Sequence, residues 1–138
     1  MWAKVCRMWM CAVCLLGCCG VAAAQDGSGC PVTVTDIRNL DTRIFVMFTN
    51  ASTKRLDSYE FGLDFYGIDG KVRQYPETFK SVAHVGARKR FLAYWKSGHT
   101  LQFQDPGAKA YLLRATFSDG SAWADDGSHS CGAAIELE

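Results

Sequence analysis

Tyr59-Glu60-Phe61-Gly62-Leu63-Asp64-Phe65-Tyr66, followed by Gly67-Ile68-Asp69-Gly70, alternates large apolar side chains with polar or small ones. A period of two is the signature of a half-buried strand, with Tyr59, Phe61, Leu63 and Phe65 toward a core. Asp69-Gly70 is a turn pair, so Lys71 to Tyr75 is expected to fold back as a short partner strand, ended by Pro76.

Working outward, the same logic finds further strands. Val32 to Ile37 is β-branched and alternating, with a turn at Asn39 to Thr42. Arg43 to Thr49 is apolar on both faces, which predicts a central position. Asn50-Ala51-Ser52 is formally a glycosylation sequon, but before a polar loop it reads better as an Asx turn. Glu77 to Val85 fits either a helical turn or a strand. Arg88 to Trp95 reads as a strand with Phe91, Ala93 and Trp95 inward, and Lys96 to Gly107 as a loop with Leu101 and Phe103 inward. Ala108 to Phe117 is expected to place Tyr111, Leu113, Ala115 and Phe117 on one face. Ser118-Asp119-Gly120-Ser121 then leads into a last short strand, Ala122 to Ala124, and Ala133 to Glu138 is expected to fray. About seven short strands with turn residues between them predict an all-β antiparallel sandwich. Phe45, Phe48, Phe61, Phe65, Trp95, Phe117 and Trp123 are the expected core.

The chain has 138 residues, room for one domain (residues 25–138) and a targeting segment (residues 1–24). Lys4 and Arg7, the apolar run from Met8 to Leu16, and Ala22-Ala23-Ala24 before Gln25 have the order of a signal peptide. The apolar stretch is short against the ~20 residues of a membrane span. Leu15-Leu16-Gly17-Cys18 resembles a lipobox, so lipid anchoring at Cys18 is the alternative route, and the membrane contact it would give is the single one expected. The domain is therefore read as secreted or periplasmic. Without Lys4 and Arg7 the charge moves from +1 to near −1. That balance argues against nucleic acid as a partner.

Five of the seven cysteines lie in the leader. Cys30 and Cys131 remain, one near each end of the domain, and an exported chain with two cysteines is expected to join them. Two cysteines alone cannot complete a structural zinc site.

Leu63 to Lys71 resembles the core of the FxLYD domain, an aromatic strand running into an Asp- and Gly-bearing turn. Phe48-Thr49-Asn50-Ala51-Ser52 is similar to the strand end that precedes it there. Val85-Gly86 and Phe117 to Trp123 are similar to patterns in related exported bacterial domains. Leu63, Phe65 and Gly67 depart from the motif's Phe, Leu and Asp. The resemblance implies a small immunoglobulin-like sandwich on an exported protein, with no catalytic residues to carry over.

No Gly-x-Ser-x-Gly elbow occurs, and His84, His99 and His129 lie in no triad context. Asp125-Asp126-Gly127-Ser128-His129 gathers oxygens and an imidazole but lacks the alternating acidic spacing of a calcium loop. Lys80, Arg88, Lys89, Arg90 and Lys96 are the densest basic run, with Tyr94 and Trp95 beside it. Such a run protects a sheet edge from pairing, or contacts an anionic envelope polymer. The expectation is a non-catalytic module without cofactor, binding an envelope protein or glycan through Arg88, Lys89, Arg90 and the tyrosines Tyr66, Tyr75 and Tyr94. The alternative is a small secreted enzyme or metal-binding protein using Asp125, Asp126 and His129. A concave site with convergent polar groups would mark the enzyme.

Overall fold

The strand built on Tyr59, Phe61, Leu63 and Phe65 is 11 residues long, a length that one other strand shares. It runs Leu56–Tyr66 and is one of nine strands in a computed structural model that describes residues 29–40, 42–96 and 107–136. In chain order these are β1 (Val32–Leu40), β2 (Arg43–Asn50), β3 (Leu56–Tyr66), β4 (Val72–Gln74), β5 (Phe79–Val85), β6 (Arg90–Lys96), β7 (Gly107–Phe117), β8 (Ala122–Ala124) and β9 (Gly132–Glu136). No helix occurs among the described residues. The expected leader with Cys18, and His99, Leu101 and Phe103, lie outside them.

All pairings are antiparallel and form two sheets. The small sheet has the order β1-β2-β6, which puts β2 in the central position its apolar faces predict. The large sheet is centred on the β3–β7 pair. β3 carries β5 and then β4 along its far edge, and β7 carries β8 and β9. The predicted Asn39–Thr42 turn is tighter than expected, since Leu40 already pairs with Arg43. The ambiguous segment after Pro76 is a strand. The tail expected to fray pairs as β9 with Gly107 to Tyr111, which satisfies backbone groups that would otherwise lie open on β7.

The core lies between the sheets. Ile44, Val46 and Phe48 of β2 face Tyr59, Phe61 and Leu63 of β3, all buried. The Phe48 ring sits 5.0 Å from that of Tyr59 and 5.3 Å from that of Phe61. Truncating such an aromatic costs about 3–5 kcal/mol. Phe65 and Phe117 are buried as expected, and Trp95 and Trp123 pack partly buried against the same core. Cys30 and Cys131 are bonded, with Cα atoms 5.0 Å apart. The bond fastens the chain two residues before β1, on the small sheet, to the residue before β9, on the large one.

Three expectations fail for stated physical reasons. Phe45 is not core: β2 alternates strictly, so the residues beside Ile44 and Val46 point out of the sandwich. Tyr75 is not a surface contact: it is buried, stacked 5.5 Å from Phe79, and its amide bonds to Leu63 O. Tyr111 does not share a face with Leu113, Ala115 and Phe117. Glu60 pairs with Arg114 and Phe61 with Leu112, so Leu113 is an extra residue, and this β-bulge reverses the parity of β7.

Asn50, at the end of β2, is the one buried polar side chain among the described residues. Its Nδ2 donates to Lys54 O, Val85 O and Gly86 O, at 2.8, 3.0 and 3.2 Å. Its Oδ1 accepts from the Ser52 amide and hydroxyl. This is the Asx turn read from the sequence, and it leaves no room for a sugar on the folded side chain.

Candidate functional site

Strict alternation in two neighbouring strands builds one surface. On the outer face of the small sheet, Arg43 pairs with Lys96, Phe45 with Tyr94, Met47 with Leu92, and Thr49 with Arg90. The middle of the face is therefore apolar and both ends are cationic. The Phe45 and Tyr94 rings lie 6.0 Å apart. Tyr94 is 66% exposed and Leu92 49%, whereas Phe45 and Met47 are half-buried. From β1, Arg38 lies opposite Phe45 and donates to Asp36 at 2.7 Å.

The turn from Gly86 to Lys89 extends the cationic end. Arg88 adopts φ 61°, and its amide bonds to Asn50 O, while the Asn50 amide bonds to Lys89 O, both at 2.9 Å. With the Asn50 side chain also on Val85 O and Gly86 O, the basic turn is fixed from below by a buried amide. The small sheet and this turn hold six cations (Arg38, Arg43, Arg88, Lys89, Arg90 and Lys96) against one described carboxylate, Asp36. Arg43, Arg88, Lys89, Arg90 and Lys96 pair with no described carboxylate.

On the large sheet and its turns, four carboxylates meet cations, while Lys109 and Arg114 of β7 pair with no described carboxylate. Asp57 accepts from Arg55 at 2.7 Å and meets His84 Nδ1 at 3.1 Å; the Arg55 bond, then that of His84, holds its carboxyl below the usual range. Glu60 takes the Thr78 hydroxyl at 2.7 Å and Lys80 at 3.7 Å. Asp119 is held well below its ordinary value by the Ser121 hydroxyl and amide, then by Lys54 at 2.9 Å. Asp69 meets Arg73 and Lys71 at 3.5 and 3.8 Å.

The bulge at Leu113 turns Tyr111 onto this outer face, where it is nevertheless fully buried. Its ring lies over Gly62, where any Cβ would collide with it at 2.5 Å. His129 covers the other side, stacked at 3.9 Å and 10°. The phenol donates to Asp64 at 3.2 Å and accepts from Gln74 at 3.3 Å, and burial raises its pKa. The Asp125–His129 loop makes this lid. Asp125 Oδ2 accepts from the Gly127 and His129 amides, and Asp126 Oδ1 from that of Ser128. The Ser128 hydroxyl and amide lower the Asp126 pKa. Asp125 Oδ1 is buried without a partner. No group of three or more His, Cys, Asp or Glu side chains is arranged to hold a metal among the described residues.

The structure thus gathers Arg88, Lys89, Arg90 and Tyr94, and separates them from the other candidates. Tyr66 is half-buried on the large sheet, opposite Val72 and Gly107. Asp125, Asp126 and His129 belong to the lid. Lys80 leaves the basic run for Glu60, on the large sheet. Arg43, Phe45, Met47 and Leu92 are the residues that sequence reasoning missed. The signal was present: with β2 and β6 as neighbours, alternation from Arg43 and from Arg90 selects them.

No family description and no curated protein matches the chain. Among solved structures it is similar to the Pseudomonas fluorescens alkylpurine DNA glycosylase AlkC bound to DNA containing an abasic site analogue. The identity is 14% and the TM-score 0.32, over 81% of this chain. The chain spans about a third of that protein's length, 32%. A likeness of that size carries no conclusion about activity.

Proposed function

We propose that this protein is an exported, non-catalytic β-sandwich module that acts by binding, and that its contact surface is the outer face of the small sheet. The observation that carries the reading is the five cations at the ends of an apolar strip with no carboxylate to meet them among the described residues. Clustered like charges raise the energy of the folded chain. Edge protection asks for charge along one strand, whereas here Arg43 lies on the central strand β2. A partner that brings negative charge accounts for the whole arrangement.

Export rests on the leader, and the bridged cysteines fit an oxidising compartment. Mass spectrometry of the mature protein is expected to find Gln25 at its N-terminus. A diacylated Cys18 would instead make this a lipid-anchored module.

The reading is tested by retention on an immobilised polyanion as salt is raised. Arg88→Ala/Lys89→Ala/Arg90→Ala is expected to elute at clearly lower salt than the parent, and Lys71→Ala/Arg73→Ala/Lys80→Ala with it. Equal losses in the two triple variants would refute the assignment of the face. The unpartnered Asp125 Oδ1 is the one observation that favours a metal-binding role for the lid. Calorimetric titration with calcium and zinc is expected to give no heat; binding lost in Asp125→Asn would establish that second reading.

A further inference from the structure

Resting on that reading, we infer that the partner is a linear acidic polysaccharide lying along the strands of the small sheet. Arg90 and Lys96 close the two ends of β6, six residues apart, or about 20 Å at strand rise. Arg43 stands beside Lys96, and the strip between the ends is Phe45, Leu92 and Tyr94. The surface is a pleated sheet, so its partner is extended, and the charge is at the ends, so the partner's anions are spaced.

The make-up of the apolar strip selects among polyanions. Its exposed apolar side chains are Leu92 and Tyr94, while Phe45 and Met47 are half-buried. Binding to a bilayer needs apolar groups sunk into the acyl boundary; two exposed side chains flanked by Arg90 and Lys96 offer little to sink. A uronic acid chain suits the strip. The C–H faces of its rings can rest on Tyr94 and Leu92, and its carboxylates can take the paired donors of Arg43 and Arg90. Single-stranded nucleic acid also stacks on aromatics, but its binders carry a basic excess that this domain, near −1 overall, lacks.

The test is calorimetry on the oxidised mature chain with four probes: polygalacturonate, inorganic polyphosphate, phosphatidylglycerol vesicles and oligothymidylate. Polygalacturonate is expected to bind, and Leu92→Ala/Tyr94→Ala to weaken it about tenfold while changing polyphosphate binding less than about twofold. Arg90→Glu/Lys96→Glu is expected to abolish both. No variant should fall below the parent's thermal midpoint, since the four side chains are exposed. If Arg90→Glu/Lys96→Glu abolishes binding but Leu92→Ala/Tyr94→Ala leaves polygalacturonate untouched, the glycan inference falls and the binding face stands. If Arg90→Glu/Lys96→Glu changes nothing, both fall. Tighter binding to vesicles or oligothymidylate than to polygalacturonate also overturns the inference.

Discussion

On the large sheet and its turns, Asp57, Glu60, Asp69 and Asp119 each meet a cation, and a tyrosine of the outer face is sealed beneath a histidine. On the small sheet and the turn before β6, five cations pair with no described carboxylate, and a tyrosine of the outer face lies open to water. The two faces flank one core, so the core does not explain the contrast. Exposed ion pairs contribute little to stability; satisfying charge on one face and leaving it unmatched on the other is therefore better read as division of labour. On the proposed reading, one face closes the fold and the other meets a partner.

The largest test breaks the link between the two sheets. Cys30→Ser/Cys131→Ser is expected to lose roughly 2–5 kcal/mol, because the bridge closes a loop of about 100 residues. Urea unfolding would show it as a lower midpoint. An unchanged midpoint would mean the sheets need no fastening. Next, Tyr111→Ala should cost about 3 kcal/mol, since it empties a buried site, whereas Tyr94→Ala should stay within about 0.5 kcal/mol. Comparable losses at the two tyrosines would erase the distinction between the faces. Asn50→Ala comes third. It removes a donor from the carbonyls of Lys54, Val85 and Gly86, of which Lys54 keeps the Ser52 hydroxyl and Gly86 the Lys89 amide, at about 1–3 kcal/mol. It should also loosen the Arg88–Lys89 turn, visible as faster amide exchange there than in β7.

The smallest effect is one of pH. Asp57, Asp119 and Asp126 have folded pKa values below their ordinary ones. Their contribution is fully present above the ordinary carboxylate value, about 4, and is lost as pH falls through the lower folded values. Stability should therefore decline modestly below about pH 4. Asp57→Asn/Asp119→Asn should flatten that decline, and Arg90→Ala should not. An identical slope in all three proteins would contradict the pairing seen on the large sheet.

Local pattern carried most of the fold. Alternation found β3, β6 and β7, turn pairs such as Asp69-Gly70 placed the hairpins, and two cysteines sufficed for the bridge. Long-range geometry carried the rest. The parity of Tyr111 depends on a bulge that shows only when β7 is laid against β3. Tyr75 looks like an ordinary strand-end tyrosine until Phe79 closes over it. β9 has few β-branched residues and exists because β7 offers it an edge. The site was half legible: Arg88, Lys89, Arg90 and Tyr94 are contiguous, but Arg43 and Phe45 join them from almost 50 residues away through the β2–β6 register.

The central claim is that the small sheet presents the working face. Amide and side-chain NMR shifts of the isotope-labelled mature protein, followed during titration with polygalacturonate, test it directly. The account predicts that the perturbed signals cluster at Arg43, Phe45, Arg90, Leu92, Tyr94 and Lys96, with Tyr111 and His129 unmoved. Perturbations centred on Tyr111 and the Asp125–His129 loop, or no perturbation at all, would contradict it.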